Sequence, residues 1–259
     1  MRKLIGIATR SKEDPQYLRL LAALDDQTER PPRHVVEGRT VAQARNAIVD
    51  AAIAEGVEAV LFVDTDETPA SPDWIREITD FQGADIVAGP VIPYEVRNGG
   101  ARYLADLEKE LVVSIPQNPT VMLTGNSAWK LGVFQQIQDR YGYIYDESLW
   151  SRGDNGARAA RVSYGGEDWD LNLRAARMGF RVRFNPQAGV HHDYSSITWT
   201  LALKKRYRYC VGGALAYLKN RQLLRRAGGA LRGSPQVVLD LPIKTAALFR
   251  ALLLHYGDV

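Results

Sequence analysis

The chain carries a single cysteine, Cys210, in 259 residues. It can therefore form neither an internal disulfide nor a cysteine-based zinc cluster, and a reducing, cytosolic setting is expected. There is no Gly-x-Gly-x-x-Gly after the first strand-like run and no Gly-x-x-x-x-Gly-Lys-Ser/Thr anywhere, which argues against dinucleotide cofactors and P-loop ATP hydrolysis. Long apolar runs are missing as well. The first ten residues are too short an apolar stretch for a secretory signal. Residues 237–254 are apolar, but Asp240, Pro242, Lys244 and Arg250 interrupt them and argue against a spanning helix.

What is present is ordinary in bulk and uneven in distribution. A hydrophobic share of 46% and a charged share of 24% suit a globular chain, and 259 residues allow one sizeable α/β domain plus an appendage. The net charge of +3 hides an asymmetry: from Ile197 onward eleven Lys and Arg face only Asp240 and Asp258, giving +9 there and −6 on the residues before. A mildly acidic body thus carries a basic tail.

Apolar runs and helical patterns alternate along the first ninety residues. Lys3 to Thr9 predicts a strand, and Asp14 with Pro15 begins a helix bearing Leu18, Leu21, Ala22 and Leu24. His34 to Glu37 predicts a second strand, and Thr40 caps a helix with Val41, Ala44, Ala47, Ile48 and Ala51 at helical spacing. Ala59 to Val63 is apolar throughout, as in a central strand covered on both faces. A loop with Pro69 and Pro72, a short helix near Asp73 to Phe81 and a strand over Asp85 to Ala88 follow. The alternation calls for a mostly parallel sheet flanked by helices, with functional groups at the carboxyl ends of its strands.

Those ends carry Thr9 and Arg10, Glu37, the Asp64 and Asp66 pair, and Gly89 with Pro90. Two carboxylates one residue apart repel unless a cation, water or hydrogen bonds compensate. At the end of an α/β sheet the natural compensator is a divalent cation carrying a phosphorylated ligand. Asp and Thr are also turn formers, so the same Asp-x-Asp triplet reads equally as an acidic turn.

The second half is less regular. Tyr103 to Val113 reads as a helix, Thr120 to Thr124 as a strand leading into Gly125 and Asn126, and Trp129 to Ile137 as an amphipathic helix. Residues 151–166 form a polar stretch suited to a lid. Glu167, Asp168, Trp169 and Asp170 then open a helix, where acids suit the positive end of the dipole whether or not they do chemistry. Arg181 to Phe184 predicts a short strand, followed by His191 and His192, the latter a candidate metal or phosphate ligand. Trp199, Leu203, Tyr207, Cys210, Val211, Ala214, Leu215 and Leu218 recur at helical spacing and predict a helix packed on the body, with Lys and Arg outward. That basic face suits an anionic membrane surface, a homo-oligomer contact or plain solvation. Nucleic acid is not an expected partner of an acidic body without a reading motif.

Taken in order, these pieces resemble the GT-A-type glycosyltransferases of inverting family 2, over residues 3 to 218. The matching segments are Ile5 to Thr9 and the helix ending in Asp26, Gln27 and Thr28; Ala44, Arg45 and Asn46; Leu61 to Asp66; Gly125 and Asn126; Glu167 and Asp168 before Leu171 and Arg174; and Pro186, Ala188, Val190 and His192. Glu37 stands where the family usually has Asp, and a helix follows it directly.

The resemblance implies a GT-A-like (Rossmann-like) α/β fold. Its catalytic domain would span residues 1–195, with the nucleotide-sugar half about 1–100 and the acceptor half about 101–195, and a helical basic extension would occupy 196–259. It implies a metal-dependent, inverting, single-displacement transfer from a nucleotide-diphosphate sugar to an acceptor hydroxyl. Asp64, Asp66 and His192 would hold Mn2+ or Mg2+; Thr9, Glu37 and Arg45 would hold the nucleotide; Asp168 would be the general base. The acceptor is expected beside Gly125, Asn126, Glu167 and Trp169. Two other readings are an inactive nucleotide-sugar-binding or membrane-associated scaffold, and another sugar-nucleotide or phosphate-transferring enzyme. The expected location is cytoplasmic, with a peripheral position on the inner face of a membrane if the basic helices bind lipid.

Overall fold

The computed structural model describes residues 1–114, 124–150, 166–220 and 244–246. Strand β1 (Lys3–Thr9) leads into helix α1 (Pro15–Asp25), whose first turn is capped by the Asp14 carboxylate accepting from Gln16 N. After β2 (Arg33–Glu37), helix α2 (Val41–Glu55) starts on a reciprocal capping box between Thr40 and Gln43 and stops at Gly56, whose φ of 61° is left-handed. Then come β3 (Ala59–Phe62), β4 (Glu67–Pro69), α3 (Trp74–Ile78), β5 (Ile86–Ala88), β6 (Val91–Tyr94) and α4 (Gly99–Ser114). A 3-10 turn (Thr124–Asn126) precedes β7 (Ser127–Lys130), α5 (Leu131–Tyr141), α6 (Glu147–Trp150) and α7 (Glu167–Arg177). The series closes with β8 (Val182–Phe184), β9 (Val190–Asp193) and α8 (Trp199–Lys219).

Six strands form one sheet in the order β2-β1-β3-β7-β5-β8. Every neighbouring pair is parallel except those of β7, which runs antiparallel to β3 and β5. Residues alternate between two cores, as the pleat requires. Leu4, Val60, Phe62 and Trp129 join Ile48, Phe134 and Leu171 under α2, α5 and α7. Ile5, Ile7, Leu61 and Val63 join Leu20, Leu24, Trp74 and Ile78 under α1 and α3. A smaller sheet, β4-β9-β6, stands beyond the carboxyl end of β3, and its register pairs Glu67 with His192.

Several expectations shift. Val63 lies just past β3, and β7 separates β3 from β5, so the sheet is mixed at its centre. Trp129 belongs to β7 and not to the helix after it; its spacing to Val133, Phe134 and Ile137 mimics a helix because all four reach the same core or its rim. Of the expected strand at 120–124, residues 120–123 lie outside the described residues and Thr124 begins the 3-10 turn. The expected lid falls outside as well, apart from Gly166.

Helix α8 forms as expected, but Trp199 and Leu203 are 50% and 41% exposed while Ala202, Val211, Gly212, Gly213 and Ala216 are buried. Close approach explains the difference. A Cβ on Gly166 would stand 2.4 Å from the Gly212 carbonyl oxygen, and one on Gly213 would stand 3.2 Å from the Trp169 ring, so small residues face α7. Among the described residues no helix is long and apolar enough to cross a membrane. Apart from residues 244–246, the basic segment after Asn220 lies outside the described residues.

Candidate active site

The chain after β3 delivers three acids, Asp64, Asp66 and Glu67, and each meets a different partner. Asp64 Oδ1 accepts from Arg45 Nη2 at 3.0 Å. Asp66 Oδ2 lies 3.2 Å from His192 Nε2. Glu67 is 4% exposed, and its Oε2 accepts from the Asp64 backbone N at 3.2 Å. Burial pushes Glu67 well above the usual carboxylate range, and the charge of Asp64 pushes it further. Asp66 goes the other way. Burial would raise it, yet the charge and hydrogen bond of His192, with the more remote charge of Lys205, bring it far below the usual range.

The turn at Gly125 backs directly onto these acids. A Cβ there would lie 2.6 Å from Asp64 Oδ2 and 3.0 Å from Glu67 Oε2, so a side chain would collide with the pair. The next residue, Asn126, is buried and engaged on all sides. It donates to the carbonyls of Pro90 (3.0 Å) and Ala188 (2.9 Å) and accepts from Trp74 Nε1 (3.0 Å). Its side chain thus joins the segments leading into β6 and β9 to α3.

Arg45 connects this cluster to the second one. Its guanidinium is 4% exposed and contacts Glu167 Oε1 through Nη1 at 3.3 Å while Nη2 holds Asp64. Burial would lower its proton affinity, but Asp64, Tyr145, Glu167 and Asp168 together raise it, so the cation is firmly charged. Burial and the charge of Asp168 push Glu167 up to about 7, with Arg45 opposing. Burial also raises Asp168, partly offset by Arg45; its Oδ1 accepts from the Trp169 backbone N at 2.8 Å. The segment that carries Tyr145 over Arg45, 5.7 Å from ring centroid to Cζ, is pinned from two helices. Asn46 exchanges hydrogen bonds with the Tyr145 backbone at 3.0 and 2.9 Å, and Arg174, paired with buried Asp170, donates to the carbonyls of Tyr143 and Ile144. Glu167 Oε2 and Tyr145 OH are buried without a hydrogen-bond partner among the described residues.

Two acidic clusters on a sheet's carboxyl edge, bridged by one buried arginine, can be set beside known proteins. The family model for Glycosyl transferase family group 2 matches residues 59–256, well over half of the chain. This chain belongs to that family. Comparison with curated proteins finds no match.

Solved structures show the same GT-A fold at low identity. S. aureus TarS 1–349 in complex with UDP aligns with a TM-score of 0.52 and 13% identity, over 97% of this chain and 81% of that chain. The mannosyltransferase PcManGT from Pyrobaculum calidifontis, in complex with GDP-Man and Mn2+, gives 0.54 and 13%, over 97% and 75%. The protein is a glycosyltransferase.

In this glycosyltransferase the expected residues are only partly brought together. Thr9 and Glu37 are register neighbours on β1 and β2. Thr9 Oγ1 donates to the Ser11 carbonyl at 2.8 Å and Glu37 Oε1 accepts from Lys12 N at 3.0 Å, so they shape the first loop at the same sheet edge. Trp169 turns toward α8, its ring edge-on to Tyr217 at 5.8 Å, and serves the packing of two helices. Asp64, Asp66 and His192 do not converge as a trio: among the described residues no three His, Cys, Asp or Glu side chains surround one point.

Three participants were not foreseen. Glu108 of α4 meets His192 Nδ1 at 3.0 Å and accepts from the Tyr194 hydroxyl. Lys205 and Tyr209 lie four apart on α8: the charge of Lys205 acts on Asp66, and burial with the charges of Asp66, Glu108, Asp168 and Asp64 raises the Tyr209 hydroxyl. Tyr209 as a whole is 54% exposed. Their four-residue spacing was a usable signal; the tail's overall basicity obscured it.

Proposed function

We propose that the protein transfers a sugar from a nucleotide-diphosphate donor to an acceptor hydroxyl by a metal-dependent single displacement with inversion. The observation that carries this reading is the bridge of Asp64, Arg45 and Glu167, which sets the acids after β3 beside Asp168 at the start of α7.

The side chains present suit Mn2+ or Mg2+. Asp64 and Asp66 are hard oxygen donors, and Glu67 resists ionising beside them, the sign of a site with excess negative charge. Among the described residues no three such donors surround one point, so a bound cation would complete its shell with substrate phosphates. When bound, the cation would neutralise the charge that develops on the leaving diphosphate. PcManGT, in complex with GDP-Man and Mn2+, is in keeping with such a donor and metal.

Asp168 accepts the proton of the acceptor hydroxyl. That oxygen bonds to the anomeric carbon as the carbon's bond to the diphosphate breaks, and the nucleoside diphosphate departs. Burial raises the proton affinity of Asp168, which strengthens it as a base. Arg45 keeps Glu167 from competing by holding one of its oxygens.

Thermal shift with UDP- and GDP-sugars, with and without Mn2+, tests the donor, because a ligand that prefers the folded state raises its stability. Asp66→Ala should abolish the Mn2+-dependent shift. Asp168→Asn should keep the shift yet lower release of nucleoside diphosphate by at least about a hundredfold. Near-normal turnover in either variant would reject the assignment.

A further inference from the structure

We infer that Glu108, far from both acidic clusters in sequence, is the positioning residue that sets His192 for the cation beside Asp66, and that Tyr194 locks Glu108 in place. The inference rests on the metal-dependent reading above and adds a residue from α4, a helix to which no metal role is attached by the acids themselves.

The imidazole of His192 lies between two carboxylates, one at each ring nitrogen. His192 Nδ1 lies 3.1 and 3.0 Å from the two oxygens of Glu108, while Nε2 points at Asp66 Oδ2 at 3.2 Å. A carboxylate only accepts, so without metal both nitrogens carry hydrogens, Nδ1 toward Glu108 and Nε2 toward Asp66; a cation arriving beside Asp66 would displace only the Nε2 hydrogen, while Glu108 keeps the one on Nδ1. Carboxylates behind metal-binding imidazoles act in this way, fixing the tautomer and ring angle and raising basicity.

Tyr194 completes the support. Its hydroxyl donates to Glu108 Oε2, and its ring stands 4.7 Å from that of His192, two residues earlier on the same stretch. Glu108 follows an apolar part of α4: Ala101, Leu104 and Ala105 cluster with Tyr194, Ile197 and Ala202 between α4 and α8. A carboxylate beside such a cluster is costly unless engaged, and the side chains of Glu108 and His192 are each only 14% exposed.

The test is Mn2+ binding by the full chain without donor, followed by electron paramagnetic resonance, for the wild type, Glu108→Gln, Glu108→Ala, Tyr194→Phe and His192→Ala. Both Glu108 variants should raise the Kd for Mn2+ about 10- to 100-fold, and Tyr194→Phe should raise it less. Combining Glu108→Ala with His192→Ala should add nothing to His192→Ala alone. With Mg2+, nitrogen NMR should show Nδ1 of His192 protonated in the wild type and mixed tautomers in Glu108→Ala.

Wild-type affinity in both Glu108 variants, or additive losses in the double variant, would overturn the inference while leaving the metal reading intact. A wild type that does not bind Mn2+ would instead overturn the metal reading and this inference with it. Tyr194→Phe removes one hydroxyl only, so it keeps the question answerable if Glu108→Ala fails to fold.

Discussion

Arg45 and Glu167 are separated by 122 residues, yet Nη1 of one stands 3.3 Å from Oε1 of the other, out of solvent. The same guanidinium holds Asp64, so a single side chain of α2 sets the spacing between the acids after β3 and the start of α7. Both partners of the Arg45–Glu167 pair are nearly fully buried, at 5% and 8% side-chain exposure. Removing one member of such a pair leaves an uncompensated charge, a heavier loss than the pair's own net contribution.

Arg45→Met should therefore destabilise the fold by about 3–5 kcal/mol. Adding Glu167→Gln should recover a good part of that, since the stranded carboxylate is then neutral. Urea unfolding of the single and double variants measures both. A fully stable Arg45→Met would show that Glu167 finds another partner.

Gly125→Ala places a methyl where Asp64 and Glu67 now lie. Overpacking of this kind typically costs about 1–3 kcal/mol, and here relief must come from turning Asp64 away. The expected result is a modest fall in Tm with a large loss of Mn2+-dependent donor binding, compared by thermal shift and donor titration. Unchanged donor binding would mean that Asp64 moves freely.

Glu167 should impose a pH dependence of known sign. Its folded value, about 7, lies above the ordinary value of about 4.3 for a glutamate. Its contribution to stability is then fully present below about 4.3 and lost as pH rises through about 7. Glu167→Gln does not titrate, so its stability relative to wild type should improve from pH 4 to pH 8. A difference that stays flat over that range would place Glu167 in an ordinary environment.

Lys205 brings positive charge toward Asp66 from α8. Lys205→Met should raise the KM for donor about tenfold, the scale of a lost interaction near 1.4 kcal/mol. The effect should shrink as salt increases, because the lysine is only partly buried. Steady-state kinetics at two ionic strengths decide it, and a salt-independent KM equal to wild type would remove Lys205 from the site.

Much of this architecture was legible because local signals agreed. Asp14 and Thr40 cap helices where their side chains indicated, and the unbroken apolar run before Asp64 became a strand buried along its whole length. The parts that escaped are held by distant pairing. Strands β4, β6 and β9 are three or four residues long, and Pro69, Pro93 and two histidines break up what strand-favouring residues they have, so no run long enough to mark a ladder is left.

The site divided along the same line. Asp64, Asp66, Asp168 and His192 stood out as acids and histidine in ordered motifs. Glu108, Lys205 and Tyr209 did not, because each occupies one position on a helix whose other residues look like ordinary surface or core. Asn126 and Trp169 were legible as residues of note, but their side chains serve the framework.

The pairing of Glu67 with His192 also governs when a cleft can exist at all. Everything needed for β1, β2 and β3 lies within the first third of the chain, but the histidine side of the cleft must wait for β9 to find β4. Such distant contacts close slowly relative to local ones, and a slip of one residue would turn the imidazole of His192 to the opposite face. A chain halted before residue 190 would hold the first strands and helices without the histidine side of the proposed cation site. Engagement of donor and metal would then report that the molecule has completed its last long-range pairing, making substrate capture a measure of folding as well as of chemistry.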